Sequence, residues 1–241
     1  MKRLQKDVRV IVLAGGMGTR LRSVISDRPK ILAPIGEGVL LDRIMENLLG
    51  QGFRNITLSV GYMKEKVREY IKRQSFSPDA EINFSEEENP LGTGGAIKKA
   101  FEDIPEKTIL VLNGDTFFPI DYWRFIGSHK ECNADVSIGL KEVPNSGRYG
   151  RVVLNEEGRI ISFKEKGSDI CSGIINGGVY VFKKEVFDNL NLPEIFSIEV
   201  DFFEKHLERI KIYGFVFSDH FIDIGVPNDY KEAREYFSEG R

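Results

Sequence analysis

Apolar residues fall in short runs along the chain, and Gly, Pro, Asn or Asp closes most of them. Residues 8–14 are rich in Val and Ile and show no alternation, the pattern of a strand covered on both faces. Residues 40–49 change period: Leu41, Ile44, Met45, Leu48 and Leu49 recur at three and four, which predicts an amphipathic helix stopped by Gly52. A second buried strand follows at 55–60. A second helix follows at 64–73, with Val67, Tyr70 and Ile71 on one face. Then come a short strand at 82–85, a helix at 95–102 and a strand at 108–112. Strands that alternate with helices predict a parallel sheet with helices on both faces. Right-handed crossovers make such a sheet doubly wound and Rossmann-like, with ligands outside the carboxyl ends of its strands.

The second half has a different rhythm. Residues 134–140, 151–154, 159–164 and 174–182 read as strands without long helices between them, an antiparallel or mixed portion. A helix is expected at 198–207, presenting Val200, Phe203 and Leu207 to the core. A strand at 211–217 and a terminal helix at 229–237 follow. No linker, low-complexity tract or long repeat interrupts the chain. The expectation is an α/β fold in a single domain spanning 1–241, with two lobes: about 1–120 and a smaller, β-rich one at about 121–241.

Composition narrows the partners. Thirty-four basic and 37 acidic side chains give a formal charge of −3, which leaves no electrostatic footprint for nucleic acid. An anionic ligand must therefore be held by a local site. The longest apolar runs fall far short of the ~20 residues that span a membrane. The N-terminus runs into an apolar strand without a secretory h-region. Cys132 and Cys171 form no Cys-x-x-Cys pair and read as unpaired thiols of a reducing compartment. A cytoplasmic protein with no membrane partner is expected. Dimers are the commonest soluble oligomers, so a homo-oligomer is compatible with the chain. His129, His206 and His220 show no metal-ligand spacing.

Three motifs carry chemistry. The first, Leu13-Ala14-Gly15-Gly16-Met17-Gly18-Thr19-Arg20-Leu21, ends the first strand. Glycines let backbone N–H groups approach a ligand closely, and Arg20 supplies a cationic fork suited to phosphate. Leu21 stands where the dinucleotide fingerprint requires glycine, and the ATPase P-loop pattern is absent too. Pro29 stiffens the segment before Lys30, so a pinned ammonium can neutralise a phosphate. The second motif, Leu91-Gly92-Thr93-Gly94-Gly95, precedes a helix. The third, Asn113-Gly114-Asp115, ends a buried strand where a hard-cation ligand can sit. Asp223, between Ile222 and Ile224 and just before a Gly-Val-Pro turn, can supply a second carboxylate. Asp229 reads as a helix cap.

The glycine run from Gly15 to Leu21, residues 22–29 with Pro29 at their end, and then Lys30 resemble the signature of the sugar-1-phosphate nucleotidyltransferases. The resemblance covers nearly the whole chain and implies a glycosyltransferase-A-like nucleotidyltransferase fold with a smaller sugar-binding lobe. It implies that Leu13, Ala14, Gly15, Gly16, Gly18 and Thr19 wrap a nucleotide with Gly114. Leu91, Gly92 and Thr93 would lie on the base side. Arg20 and Lys30 would meet the NTP phosphates, and Asp115 and Asp223 would hold Mg²⁺. Tyr149-Gly150, Glu165-Lys166 and Asn176-Gly177 are similar to the family's sugar-phosphate segments, with Lys166 on the sugar's phosphate. Within the family, Ser23-Val24-Ile25, the stretch 111–118 and the stretch 222–230 look like the D-glycero-D-manno-heptose 1-phosphate guanylyltransferases of bacterial surface-polysaccharide synthesis. Ser23 and Val226 depart from the broader pattern of Pro and Thr. The implied substrates are an NTP, GTP favoured, and a sugar 1-phosphate. Mannose-1-phosphate guanylyl and glucose-1-phosphate thymidylyl or uridylyl transfer are the alternatives. A non-catalytic sensing subunit on the same fold is a further one, although this chain keeps Arg20, Lys30, Asp115 and Asp223.

Overall fold

The computed structural model describes residues 8–147, 149–164, 171–188 and 190–238. Its first part runs β1 (Val8–Leu13), β2 (Pro34–Ile35), β3 (Gly38–Val39), α1 (Leu40–Gly50), β4 (Asn55–Val60), α2 (Lys64–Arg73), β5 (Glu81–Glu86), α3 (Gly92–Glu102) and β6 (Thr108–Asn113). Then follow β7 (Thr116–Phe117), α4 (Tyr122–Glu131), β8 (Val136–Val143), β9 (Arg151–Leu154), β10 (Ile160–Lys164), β11 (Gly173–Lys183), β12 (Ile212–Phe217), β13 (Ile222–Asp223) and α5 (Pro227–Ser238).

Seven strands make the main sheet, in the order β12-β8-β11-β6-β1-β4-β5. β6, β1, β4 and β5 are parallel, as the alternation with helices predicts. β12 is parallel to β8, and β11 is antiparallel to both β8 and β6. β11 thus runs against the rest of the sheet, which makes it mixed. β9 and β10 form a separate antiparallel hairpin, the β-rich adjunct of the second half.

The unbroken apolar strands are explained by two buried faces. Along β1, Val8, Val10 and Val12 join one apolar cluster while Ile11 joins the other. β6 and β11 divide their residues in the same way: Leu110, Leu112, Val179 and Val181 on one face, Ile109, Val111, Tyr180 and Phe182 on the other. The first face is covered by α1, α2, α4 and α5. The second is covered by α3, by the hairpin residues Val152 and Ile160, and by a helical turn at Ile198–Glu204. Each fully buried Ile, Val or Phe contributes about 1.5–3 kcal/mol. Caps fit the chain entry points: Asp42 accepts from Val39 N (2.9 Å) and Asp121 from Arg124 N (2.9 Å).

Three expectations are corrected. α3 begins at Gly92 rather than Gly95, so the second glycine motif lies inside its first turn. The Ile198–Glu204 turn is π-helical, not α-helical. Its wider winding puts residues four and five apart on one face, so Ile198, Phe202 and Phe203 are buried while Val200 is 51% exposed. Asp229 is not the cap of α5: the helix begins at Pro227, and Asp229 lies in its first turn, where a carboxylate still meets the positive end of the helix. Among the described residues no helix is long and apolar enough to cross a membrane, and both cysteines are free.

His129 is buried on α4. Its Nδ1 lies 2.9 Å from Ser137 Oγ and its Nε2 has no hydrogen-bond partner. Burial, with Lys183 and Lys130 nearby, pushes its pKa down to about 4. Because the unfolded chain binds this proton more readily than the folded one, stability is complete above the ordinary pKa of about 6.5 and declines below it. Between pH 6.5 and 5 the loss is about 2 kcal/mol by that linkage. Urea titrations across this window should show the decline, and His129→Gln should flatten it.

Candidate active site

The carboxyl ends of β1 and β6 lie side by side, with Leu13 opposite Asn113 as the last pair of the ladder. Just beyond it, Gly114 N donates to Leu13 O at 2.9 Å. A Cβ on Gly114 would collide with that same carbonyl, so the approach requires glycine. On the other side, Ala14 N donates to Ser59 O (2.7 Å), which ties the start of the glycine loop to β4. The loop ends at Gly18 with φ +61°, where a Cβ would stand 2.8 Å from Lys30 Cγ. Glycine there permits both the left-handed backbone and the passage of the Lys30 stem.

Lys30 opens a short 3-10 turn, Lys30–Leu32, that follows Pro29 in extended conformation. Its side chain is only 14% exposed, and Nζ lies 3.0 Å from Asp115 Oδ2. Asp115 leads into β7, which pairs with β13 so that Asp223 faces Thr116. Ile224 N donates to Asp115 O (3.0 Å), locking the two carboxylate segments together. Burial raises the Asp223 pKa, and the negative charge of Asp115 raises it further; a hydrogen bond from Gly225 N (2.6 Å) and Lys30 oppose this. Both raising effects disfavour the ionised form of Asp223, and a bound cation would relieve them. Among the described residues no three His, Cys, Asp or Glu side chains gather closely enough to hold a metal. A cation on Asp115 and Asp223 would need ligand oxygens as well.

These residues open on a cleft of about 310 Å³. Leu13, Ala14, Gly16, Gly18, Arg20, Lys30, Thr93, Gly114, Asp115, Tyr149, Asn176 and Asp223 all line it. Arg20 is exposed. Gly15, Thr19, Leu91, Gly92, Gly150 and Gly177 are not among the residues that line it. Gly15 makes room for the buried Glu87 carboxylate, which accepts from Leu91 N (2.9 Å) and whose pKa is raised by burial. Gly92 lies against the Phe196 carbonyl, and Gly94 N donates to it at 2.9 Å. The second glycine motif thus seats the segment before the π-helical turn. Thr93 Oγ1 accepts from Ile198 N at 3.0 Å while Thr93 faces the cleft. Glu165 and Lys166 lie outside the described residues.

Sequence reasoning passed over Tyr180, Glu199, Phe221 and the cleft-facing role of Asp229. Tyr180 carries the apolar signal of a core strand. Phe221 packs edge-on against Tyr149 with centroids 6.0 Å apart, which no local pattern announces.

An α/β protein with a glycine loop, two cations and paired carboxylates at the carboxyl edge of its sheet is organised to handle phosphate esters. The chain belongs to the nucleotidyl transferase family, whose model matches residues 9–239. It is 42% identical over 228 residues to the D-glycero-alpha-D-manno-heptose 1-phosphate guanylyltransferase of Aneurinibacillus thermoaerophilus, covering 95% of this chain and 97% of that one. It is 40% identical over 223 residues to the enzyme of the same name from Campylobacter jejuni, covering 92% and 97%. Its fold matches the crystal structure of HddC from Yersinia pseudotuberculosis complexed with GMP-PN, with a TM-score of 0.84, 37% identity, and 95% and 99% of the two chains covered.

Gly114→Ala should cost about 1–3 kcal/mol through overpacking against Leu13 O. Gly16→Ala meets nothing within 4 Å and should leave stability within about 1 kcal/mol of the parent. Urea unfolding of both variants checks the contrast.

Proposed function

We propose that this protein transfers a guanylyl unit from GTP to D-glycero-D-manno-heptose 1-phosphate, giving the GDP-sugar and pyrophosphate for bacterial surface polysaccharide synthesis. The observation that carries the reading is the convergence of Lys30, Asp115 and Asp223 on one cleft beside the glycine loop. The near full-length likeness to two heptose 1-phosphate guanylyltransferases supports the choice of base and sugar. Residues up to about 120 serve the nucleotide and later ones the sugar phosphate, within one domain that works in the cytoplasm.

The chemistry is an in-line displacement. An oxygen of the sugar phosphate attacks the α-phosphorus of GTP, the bond to the β-phosphate oxygen breaks, and pyrophosphate departs with the electron pair. The attacking oxygen is already anionic at neutral pH, so no side chain need remove a proton. The residues act by positioning and by offsetting charge. The glycine loop offers backbone N–H groups to the nucleotide. Arg20, at the exposed side of the loop, meets the departing pyrophosphate. Lys30 exchanges Asp115 for the α-phosphate, and the Gly18 contact along its stem keeps it aimed there. Lys166 meets the phosphate of the sugar. Asp115 and Asp223 would hold Mg²⁺, whose donor preference for a few carboxylate and phosphate oxygens matches this pair. When bound, the ion would draw negative charge from the phosphate oxygens and fix their orientation.

The direct test is pyrophosphate release with Mg²⁺, crossing GTP, UTP, dTTP, CTP and ATP against heptose, mannose and glucose 1-phosphates. Release confined to GTP with the heptose phosphate is expected. Release with another pair would replace the substrates, and none from folded protein would remove the enzyme. Lys30→Met should lower kcat about 100-fold, or about 3 kcal/mol in barrier height. Asp115→Ala and Asp223→Ala should each lose at least about that much while circular dichroism stays unchanged. A double Asp variant with full activity would sink the assignment of the carboxylates.

A further inference from the structure

Asn176 lines the cleft, yet its amide is already committed. Its Nδ2 donates to Tyr180 Oη at 2.9 Å and to Glu199 Oε1 at 3.0 Å, while its Oδ1 accepts from Gly178 N at 2.9 Å. A primary amide has two N–H donors, and both are used. The backbone enforces this placement. Pairing of β11 with β8 slips between Asn176 and Val179, with Gly178 at φ +70°. Such a bulge turns a strand residue away from its regular direction. Tyr180 is 1% exposed, so its hydroxyl is a fixed post rather than a mobile one.

Glu199 is different in kind. It is exposed and lines the cleft. It sits in the first turn of the π-helical segment, next to Ile198, which is buried and tied by its N–H to Thr93. Exposed glutamates ordinarily keep their rotamer freedom, and fixing one costs entropy. Here an amide inside the cleft wall holds one oxygen. A carboxylate has acceptor sites for several donors, and adjacent sugar hydroxyls present donors in pairs. It also repels phosphate, so a carboxylate on this wall must face the hydroxyl-bearing part of a sugar phosphate and turn the phosphate the other way.

We infer that Glu199 accepts hydrogen bonds from the sugar's hydroxyls, and that Asn176 is the positioning residue that aims it rather than a sugar ligand itself. Held at Oδ1 by Gly178 N and at Nδ2 by Tyr180, the amide transmits the fixed geometry of the buried strand through its second N–H to an exposed carboxylate. The inference rests on the nucleotidyl-transfer reading and adds to it the group that recognises the sugar.

The experiment measures KM for the sugar 1-phosphate and for GTP separately, by pyrophosphate release, in the parent, Glu199→Gln, Asn176→Ala and the double variant. Thermal unfolding checks that each is folded. Glu199→Gln keeps the shape and removes the charge; it should raise KM for the sugar phosphate at least about 10-fold and leave KM for GTP within about 2-fold. Asn176→Ala should shift the same constant in the same direction. The double variant should be no worse than Glu199→Gln alone, because the two side chains act as one unit. An unchanged sugar KM in Glu199→Gln overturns the inference, as does an equal rise for both substrates. A rise in Asn176→Ala with Glu199→Gln silent makes Asn176 the ligand and overturns it too. Parent protein inactive with every substrate pair overturns the transfer reading itself, and this inference with it.

Discussion

Leu13 and Asn113 form the last rung between β1 and β6, and one residue further the Leu13 carbonyl accepts the Gly114 N–H. Two parallel strand ends held this close leave no room for a side chain between them. The glycine loop must leave β1 upward, and Asp115 must leave β6 beside it. From that junction the rest of the cleft follows: Lys30 crosses the loop at Gly18, and the β7–β13 pairing brings Asp223 to Asp115. The residues that matter most are far apart in sequence and adjacent because a parallel sheet gathers its carboxyl ends on one edge.

Electrostatics in the cleft is a balance of near neighbours. Lys30 is the largely buried cation paired with Asp115, while Asp223 is desolvated and repelled by Asp115. Neither carboxylate is at rest alone, and neither belongs to a cluster large enough to bind a metal by itself among the described residues. A cation on this pair would have to take its remaining oxygens from water or substrate.

The doubly wound half could be read from the chain because both faces of its strands are covered, so that Val and Ile run without alternation and helices intervene at regular intervals. The glycine loop, Lys30 and the two aspartates were legible for a related reason: close backbone approach and charge at strand ends leave residue-type signatures. What stayed hidden depends on geometry at long range. Leu91, Gly92 and Thr93 read as a base-side segment; that Gly92, Gly94 and Gly95 also make room for the Glu194–Phe196 segment is a long-range packing need that no local pattern announces. A π-helical winding has no period that a 3.6-residue pattern can reveal, so that pattern turns Val200 inward and gives no sign of Glu199 at the cleft. Asp229 reads as a cap only if the helix starts after Pro227, and α5 includes that proline as its first residue.

The reversed strand β11 has a consequence for how the chain comes to be assembled. β8 is made before β11, yet in the sheet β11 lies between β8 and β6. As the polypeptide emerges from the ribosome, β1, β4, β5 and β6 can associate early, whereas β8 has no neighbour to join until β11 arrives. For that interval its backbone donors and acceptors, and those along the outer side of β6, are open edges of the kind that pair indiscriminately with other chains. The order of synthesis thus leaves both edges unpaired until the one antiparallel strand is inserted between them.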